Sequence, residues 1–294
     1  VDGGFSWNTY VANIGYTSYP GAFNGAFIGG GNYMTSSAAY SNDVRNGWTY
    51  ITALNNISAS IGPGNGGFTS TGVPVFVIPY SSSGSHKIAY RAEAVGSTGV
   101  SSATWTTDVT VNAVAGNGYM ARVALTNNTL VYVGYSNTTP SAGTIFVRYA
   151  SVNATTGAPG TFSTGTLSVT GMMTSLQTVN GTFVLTTADN KIYTSTDGAT
   201  WTQRTSPYAG GTSALHLSPP VDGKIMCYNV AIQGSYPTLY TSVDGITWTS
   251  QETLSLALSS TLVLITGTTG LRSVMVNASG PGNLTYLNGN RLVS

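Results

Sequence analysis

The sequence predicts an all-β fold assembled from a repeated antiparallel unit, and three observations carry that prediction. Glu, Lys, Gln and Leu, which fill helix surfaces, are scarce, whereas Thr, Val, Ile, Tyr and Trp suit a pleated, half-buried surface. All five tryptophans, Trp7, Trp48, Trp105, Trp201 and Trp248, follow Ser, Gly or Thr, and the last four precede Thr. The stretch "STDGATWT" at 195–202 returns 47 residues later as "SVDGITWT" at 242–249. Asp-Gly between alternating strands marks a hairpin, because Gly accepts positive φ without steric cost.

Aligned on Trp201 and Trp248, each unit reads as a β-meander. A short apolar strand ("TFVLTTAD", "KIMCYNVA") leads to a second ("KIYTST", "TLYTSV"), an Asp-Gly turn, and then "TWTQRTS" or "TWTSQE". Degenerate copies stand at "YSNDVRNGWTYI", "VGSTGVSSATWTTDV", "NATTGAPGTFSTG" with Phe162 in the tryptophan position, and "ASGPGNLTYLNG" with Tyr286 there. The marks at 7, 48, 105, 162, 201, 248 and 286 are 41, 57, 57, 39, 47 and 38 residues apart. Such intervals hold four short strands each and suit propeller blades, whereas solenoid coils repeat every 20 to 35 residues or so. The expectation is one β-propeller over 1–294, with repeats 8–48, 49–105, 106–162, 163–201, 202–248 and 249–290. Residues 1–7 are expected to be a remnant strand continuing from an upstream segment. Six blades of four-stranded meanders are expected, with seven the alternative: "GFSWNTYV" reads as a fourth strand without its first three, yet "NLTYLNGNRLV" offers the last interval a fourth strand of its own. The Gly/Ser-rich stretches "SIGPGNGGFTSTG", "YSSSGSH" and "SNTTPSAGT" read as long loops, where binding tends to lie.

Bulk properties exclude several functions. Ten basic and nine acidic residues make 6% charged residues, against roughly 25% in an ordinary globular chain. A net charge of +1 with no basic stripe cannot neutralise a phosphate backbone, so nucleic acid is excluded as a partner. With 41% hydrophobic residues the chain folds and is not a disordered stalk. Cys227 is the only cysteine, so no internal disulfide forms, and within "KIMCYNV" it reads as a small buried apolar group. The greasiest stretches, "VPVFVIPY" and "TLVLITG", are far short of the roughly 18 to 20 residues of a spanning helix, so a soluble chain without membrane insertion is expected. The opening "VDGGFSW" has neither an initiator Met nor a signal-peptide pattern, which reads as the loss of something upstream.

"STDGATW" and "SVDGITW" resemble the Asp-box, or bacterial neuraminidase repeat: Ser/Thr, any residue, Asp, any, Gly, any, Thr, Trp/Phe. Both copies have one residue fewer between Asp and Trp than the longer form, whose spacing "DGGFSW" keeps. The resemblance implies a turn between the third and fourth strands of a blade, at its periphery. The Asp would accept bonds from turn N–H groups, the Gly take the strained position and the Trp pack inside. Asp197, Gly198, Thr200 and Trp201, with Asp244, Gly245, Thr247 and Trp248, are then structural, and Trp7, Trp48, Trp105, Phe162 and Tyr286 are repeat core positions.

The same resemblance raises sialidase, which implies three arginines, a Tyr nucleophile with a Glu, an Asp acid/base and a Phe-Arg-Ile-Pro stretch. The nearest stretch is "FVIP", Phe76 to Pro79, with Val77 in place of the arginine. The arginines are Arg45, Arg91, Arg122, Arg148, Arg204, Arg272 and Arg291. Other glycosidases need two carboxylates roughly 5 to 10 Å apart. With Asp43, Asp197 and Asp244 assigned to turns, Glu93, Asp108, Asp189, Asp222 and Glu252 remain, and Tyr90 and Glu93, three apart on a strand, face opposite sides. His86 and His216 have no second ligand at metal spacing. "IGGGN" and "GPGNGG" lack the Lys-Ser/Thr of a phosphate loop and read as turns. N-x-S/T tripeptides at Asn56, Asn127, Asn137, Asn153, Asn180, Asn277 and Asn283 are expected by chance in so Asn- and Thr-rich a chain. No catalytic residue, metal or cofactor is expected.

Low charge, the Ser/Thr/Gly bias and the box together resemble modules of bacteriophage tail fibres and other virion appendages. The expectation is therefore a non-enzymatic structural or receptor-binding propeller, virion-borne or extracellular. Its partners would be other virion proteins or a host surface glycan, and it would form a homo-oligomer, a trimer by analogy. A secreted lectin or adhesin is the alternative and a sialidase-type glycoside hydrolase the third reading, since Tyr, Trp and Asn stack on and hydrogen-bond sugars.

Overall fold

The computed structural model describes residues 21–30, 37–42, 49–54, 60–112, 121–136, 144–167, 169, 171–208, 214–220, 222–229, 238–253, 262–267, 270–276 and 284–286. Trp7 and the remnant strand, Asp43, Arg45, Trp48 and "SNTTPSAG" at 136–143 beyond Ser136 lie outside them.

Within these residues the chain is all-β, with a single 3-10 turn at Thr52–Leu54. Every sheet is antiparallel and takes its strands in chain order. The first holds β1 (Gly21–Phe23), β2 (Ala26–Gly30), β3 (Ala38–Ser41) and β4 (Thr49–Tyr50). The second holds β5 (Ser60–Ile61), β6 (Asn65–Phe68), β7 (Pro74–Ser82), β8 (Ser85–Ala92) and β9 (Thr106–Asn112). Both β5 and β6 pair with β7, through Ile61↔Tyr80 and Asn65↔Val77, so together they form one interrupted first strand. The third sheet holds β10 (Arg122–Thr126), β11 (Thr129–Tyr135), β12 (Ile145–Ser151) and β13 (Ser163–Thr164). The fourth holds β14 (Met173–Val179), β15 (Thr182–Thr187), β16 (Ile192–Ser195) and β17 (Thr202–Arg204), and the fifth β18 (Leu215–Leu217), β19 (Ile225–Asn229), β20 (Thr238–Ser242) and β21 (Thr249–Thr253). These five are four-stranded meanders. A three-stranded sheet follows, of β22 (Leu262–Gly267), β23 (Gly270–Val276) and β24 (Leu284–Tyr286).

The first strands gather the sheets. β1 packs on β6, β6 on β10, β10 on β14 and β14 on β18. Asn65 on β6 also comes within 3.5 Å of Gln177 on β14, past the intervening sheet, so the first strands converge on a common axis. Meanders radiating from an axis are the propeller arrangement.

Hydrophobic alternation explains why the sheets stack face to face. On β11, Leu130 and Tyr132 enter a core shared with Val75, Val77 and Ile88 of the second sheet, while Val131, Val133 and Tyr135 enter one shared with Phe183, Leu185 and Trp201 of the fourth. A sheet buried on both faces has little surface for charge, which accounts for the low content of Lys and Glu.

Tight hairpins join the first and second strands. Asn24-Gly25, Asn127-Asn128, Asn180-Gly181 and Asp222-Gly223 each have two consecutive positive φ, and so does Ser83-Gly84 between β7 and β8. That conformation matches strand twist and selects Asn, Asp and Gly. The reading of "GPGNGG" as a loop is corrected: Gly66 and Gly67 lie within β6. A Cβ at Gly67 would stand 2.0 Å from the Leu125 carbonyl oxygen, so glycine here permits close approach of two first strands. In "IGGGN", likewise, Gly29 and Gly30 continue β2. The expected long loop "YSSSGSH" is β7 and β8 joined by the Ser83-Gly84 turn.

Trp105, Phe162, Trp201 and Trp248 each stand immediately before the fourth strand of their sheet, so the sheets extend one strand beyond these marks. Tyr286 instead ends β24, the third strand of its sheet.

Candidate functional site

Four half-buried polar side chains stand on the first strands of neighbouring sheets: Asn65, Arg122, Gln177 and His216. Asn65 Nδ2 donates to the Val123 carbonyl at 3.1 Å and to Gln177 Oε1 at 3.5 Å, joining three sheets at the axis. Arg122 Nη1 donates to the Ala121 carbonyl at 3.1 Å. Ser175 Oγ accepts from the Leu217 N–H at 3.1 Å, and Thr174 Oγ1 donates to the Leu215 carbonyl.

Local sequence sets these directions. Leu215 and Leu217 enter the core between the fourth and fifth sheets, which turns His216 the other way. On β14 a register shift between Met173 and Ser175 breaks the alternation, and Met173, Leu176 and Val179 are buried while Gln177 stays half-accessible. His216 stacks on Tyr228, with ring centroids 5.5 Å apart and planes 20° apart. Burial lowers its pKa to about 4, and Arg122 adds to the shift, so the imidazole is neutral at pH 7. The axis thus presents carboxamides, a neutral imidazole with an aromatic face and one guanidinium: a set that hydrogen-bonds hydroxyls.

The candidate carboxylates lie elsewhere, on outer strands and turns, and Glu93, Asp108 and Asp189 are held by their neighbours. Glu93 accepts from Arg91 Nε, from the Ser101 N–H at 2.9 Å and from Ser101 Oγ at 2.8 Å. Burial opposes its ionisation, but these bonds together hold the pKa below the ordinary value. Asp108 pairs with Lys87 at 2.7 Å on β9, and Asp189 with Lys191 at 2.6 Å beyond β15. Asp222 lies in the turn between β18 and β19, and Glu252 on β21. The arginines are likewise spread, with Arg91 on β8, Arg122 on β10, Arg148 on β12 and Arg204 on β17. Val77 in "FVIP" is fully buried in the core of the second sheet. Among the described residues no three His, Cys, Asp or Glu side chains gather as metal ligands. Cys227 is fully buried, and burial pushes its thiol pKa up.

At the opposite ends of the third and fourth strands lie the two box turns. Asp197 Oδ1 accepts from the N–H groups of Ala199 and Thr200 at 2.8 and 2.9 Å and from Ser195 Oγ at 2.9 Å. Asp244 Oδ1 accepts from Ile246, Thr247 and Ser242 at 2.8, 2.8 and 2.9 Å. Gly198 and Gly245 have φ of +73° and +72°. Trp201 is buried and its Nε1 donates to the Gly198 carbonyl at 3.1 Å, whereas Trp248 Nε1 is buried without a partner. Trp105 and Phe162 pack in or against the cores of the second and third sheets.

Sequence reasoning placed binding in long loops and missed the axial residues. The available signal was a polar residue inside an apolar run, as in "LHL" and "SLQTV", but only sheet order identifies those runs as first strands.

No protein-family profile and no curated protein matches the chain. Solved structures do. YjhT is similar with a TM-score of 0.52 at 8% identity, over 90% of this chain and 92% of that one. Zg3597, a family 117 glycoside hydrolase from the marine bacterium Zobellia galactanivorans, has a TM-score of 0.41 at 11% identity, over 68% of this chain and 71% of that one. The Hadza microbial sialidase Hz136 has 0.43 at 16%, over 69% of this chain and 46% of its own length, so this chain spans less than half of that enzyme. At such identities likeness speaks to fold alone. The expectation of a virion appendage is nevertheless corrected: the similar structures named here for an activity are a glycoside hydrolase and a sialidase, and neither is a virion protein. The expectation that the chain is no enzyme is withdrawn on the same finding.

Proposed function

We propose that this chain is an extracellular carbohydrate-binding β-propeller of six blades, a lectin or adhesin that engages glycan hydroxyls at the ring axis. The observation that carries the reading is the convergence of Asn65, Arg122, Gln177 and His216 from four neighbouring sheets. Sugars are bound by planar amides and guanidinium groups that reach paired hydroxyls, and by aromatic faces on which the ring stacks. Tyr228, itself buried, stacks on His216 and fixes the orientation of its imidazole. The six-blade count is supported by six sheets among the described residues, the last of them three-stranded. The two box turns serve as scaffold on this reading, because their Asp oxygens already accept turn N–H groups and their glycines press on the neighbouring sheet.

A glycan array probed with the wild-type chain and with Gln177→Ala and His216→Ala tests the proposal, with reducing-sugar release scored on every glycan bound. Retained glycans that both variants lose, at least about tenfold in affinity for a loss of about 1.4 kcal/mol, support it. Binding that survives both substitutions, or no binding to any glycan, overturns it. Sugar release that the same variants abolish would extend the site from binding to hydrolysis.

A further inference from the structure

We propose that His86 is an acid-released latch between the second and third sheets, holding the end of the ring at which the first strands begin. His86 is the second residue of β8 and is fully buried. Its Nε2 lies 3.1 Å from the Tyr135 carbonyl and its Nδ1 2.7 Å from the Tyr132 hydroxyl, both on β11 of the next sheet. A carbonyl only accepts, so Nε2 carries the proton, Nδ1 is the acceptor and Tyr132 donates to it. Tyr135 continues the chain of contacts, since its hydroxyl accepts from the Met173 N–H at the start of β14. One imidazole therefore ties the second sheet to the third at a tyrosine that is itself tied to the fourth.

Protonation breaks this arrangement. With both ring nitrogens donating, Tyr132 must turn its hydroxyl proton away from Nδ1, inside a fully buried site. Among the described residues the other groups facing the ring offer no negative charge. From β12, Phe146 presents an edge at 4.9 Å, and Arg148 on the same strand adds a like charge. The cross-strand neighbours on β7 and β9 are Ser81 and Asn112, and Lys87 beside it is engaged by Asp108. Burial is the leading cause that lowers the pKa from 6.5, and Arg148 works in the same direction, against the Tyr135 bond that raises it.

The sign follows. A histidine held neutral in the fold binds its proton only when the latch opens, so the latch is whole above the unfolded value near 6.5 and weakens as pH falls below it. The opening equilibrium grows by up to about tenfold between pH 7 and pH 5.5.

Hydrogen exchange of the whole chain from pH 7.5 to 5, expressed as protection factors, tests this. The expected result is a selective fall in protection at 85–88 and 132–135, with the hairpin at 182–195 unchanged. His86→Gln keeps a donor for Tyr135 and an acceptor for Tyr132 but does not titrate, and should abolish the fall. Tyr132→Phe removes the hydroxyl that donates to Nδ1, so protonation no longer breaks that bond, the imidazole titrates nearer its ordinary value and the fall should shrink or vanish, which covers the case in which the glutamine variant fails to fold. An unchanged pH response in whichever variant folds, or a fall spread evenly over all sheets, overturns the proposal.

Discussion

At Gly198 the box turn of the fourth sheet has no room for a side chain. A Cβ there would stand 2.6 Å from Val131 Cγ2 on the third sheet, and at Gly245 it would stand 2.3 Å from Val184 Cγ2 on the fourth. Positive φ adds a backbone penalty for any residue with a Cβ. Gly198→Ala is therefore expected to destabilise the chain by about 2 to 4 kcal/mol, the sum of left-handed strain and overpacking, as read from urea unfolding monitored by tryptophan fluorescence. A loss under about half a kcal/mol, the usual scale of surface changes, would mean that the turn does not press on its neighbour. The Asp-Gly turn could be read from sequence because glycine takes the positive φ that the turn needs. The glycines of β6 could not: a run of glycine signals either a turn or close approach, and only β10 packing on β6 decides between them.

At the scale of elements, asparagines at three of the first-to-second-strand turns tie their sheets to the next. Asn24 Nδ2 donates to the Ser97 carbonyl at 2.9 Å, and Asn127 Nδ2 to the Gly181 carbonyl at 3.2 Å. Asn180 Nδ2 donates to the carbonyls of Gly223 at 3.0 Å and Val243 at 2.9 Å. All three have φ near +45°, which asparagine tolerates, so one residue type both makes the turn and reaches the next sheet. Asn180→Gly keeps the φ and removes both bonds, and is expected to cost about 1 to 2 kcal/mol in equilibrium unfolding. Asn127→Gly, losing one bond, should cost about half as much, while equal costs would show that turn conformation and not the bond matters. The sequence carries a turn signal in Asn24-Gly25 and Asn180-Gly181, and none so plain in Asn127-Asn128. The reach of the asparagine was not legible, because its acceptor belongs to the neighbouring sheet, 43 to 73 residues away in the chain.

At the scale of the whole molecule, tryptophan phasing announced the repeat. Trp105, Trp201 and Trp248 mark the step from third to fourth strand because that is where a large ring enters the space between two sheets. The axial site was hidden for the converse reason. A first strand of three residues such as "LHL" carries no periodicity of its own, and Arg122, near enough to lower the His216 pKa, comes from another sheet. On the proposed function, binding moves from the long loops, where sequence placed it, to the axis. The most direct measurement is hydrogen exchange with and without the tightest-binding sugar of the array. Binding at the axis predicts added protection at 65–68, 122–126, 173–179 and 215–217, with the box turns at 196–201 and 243–248 unchanged. Protection confined to the box turns or to outer strands would contradict it.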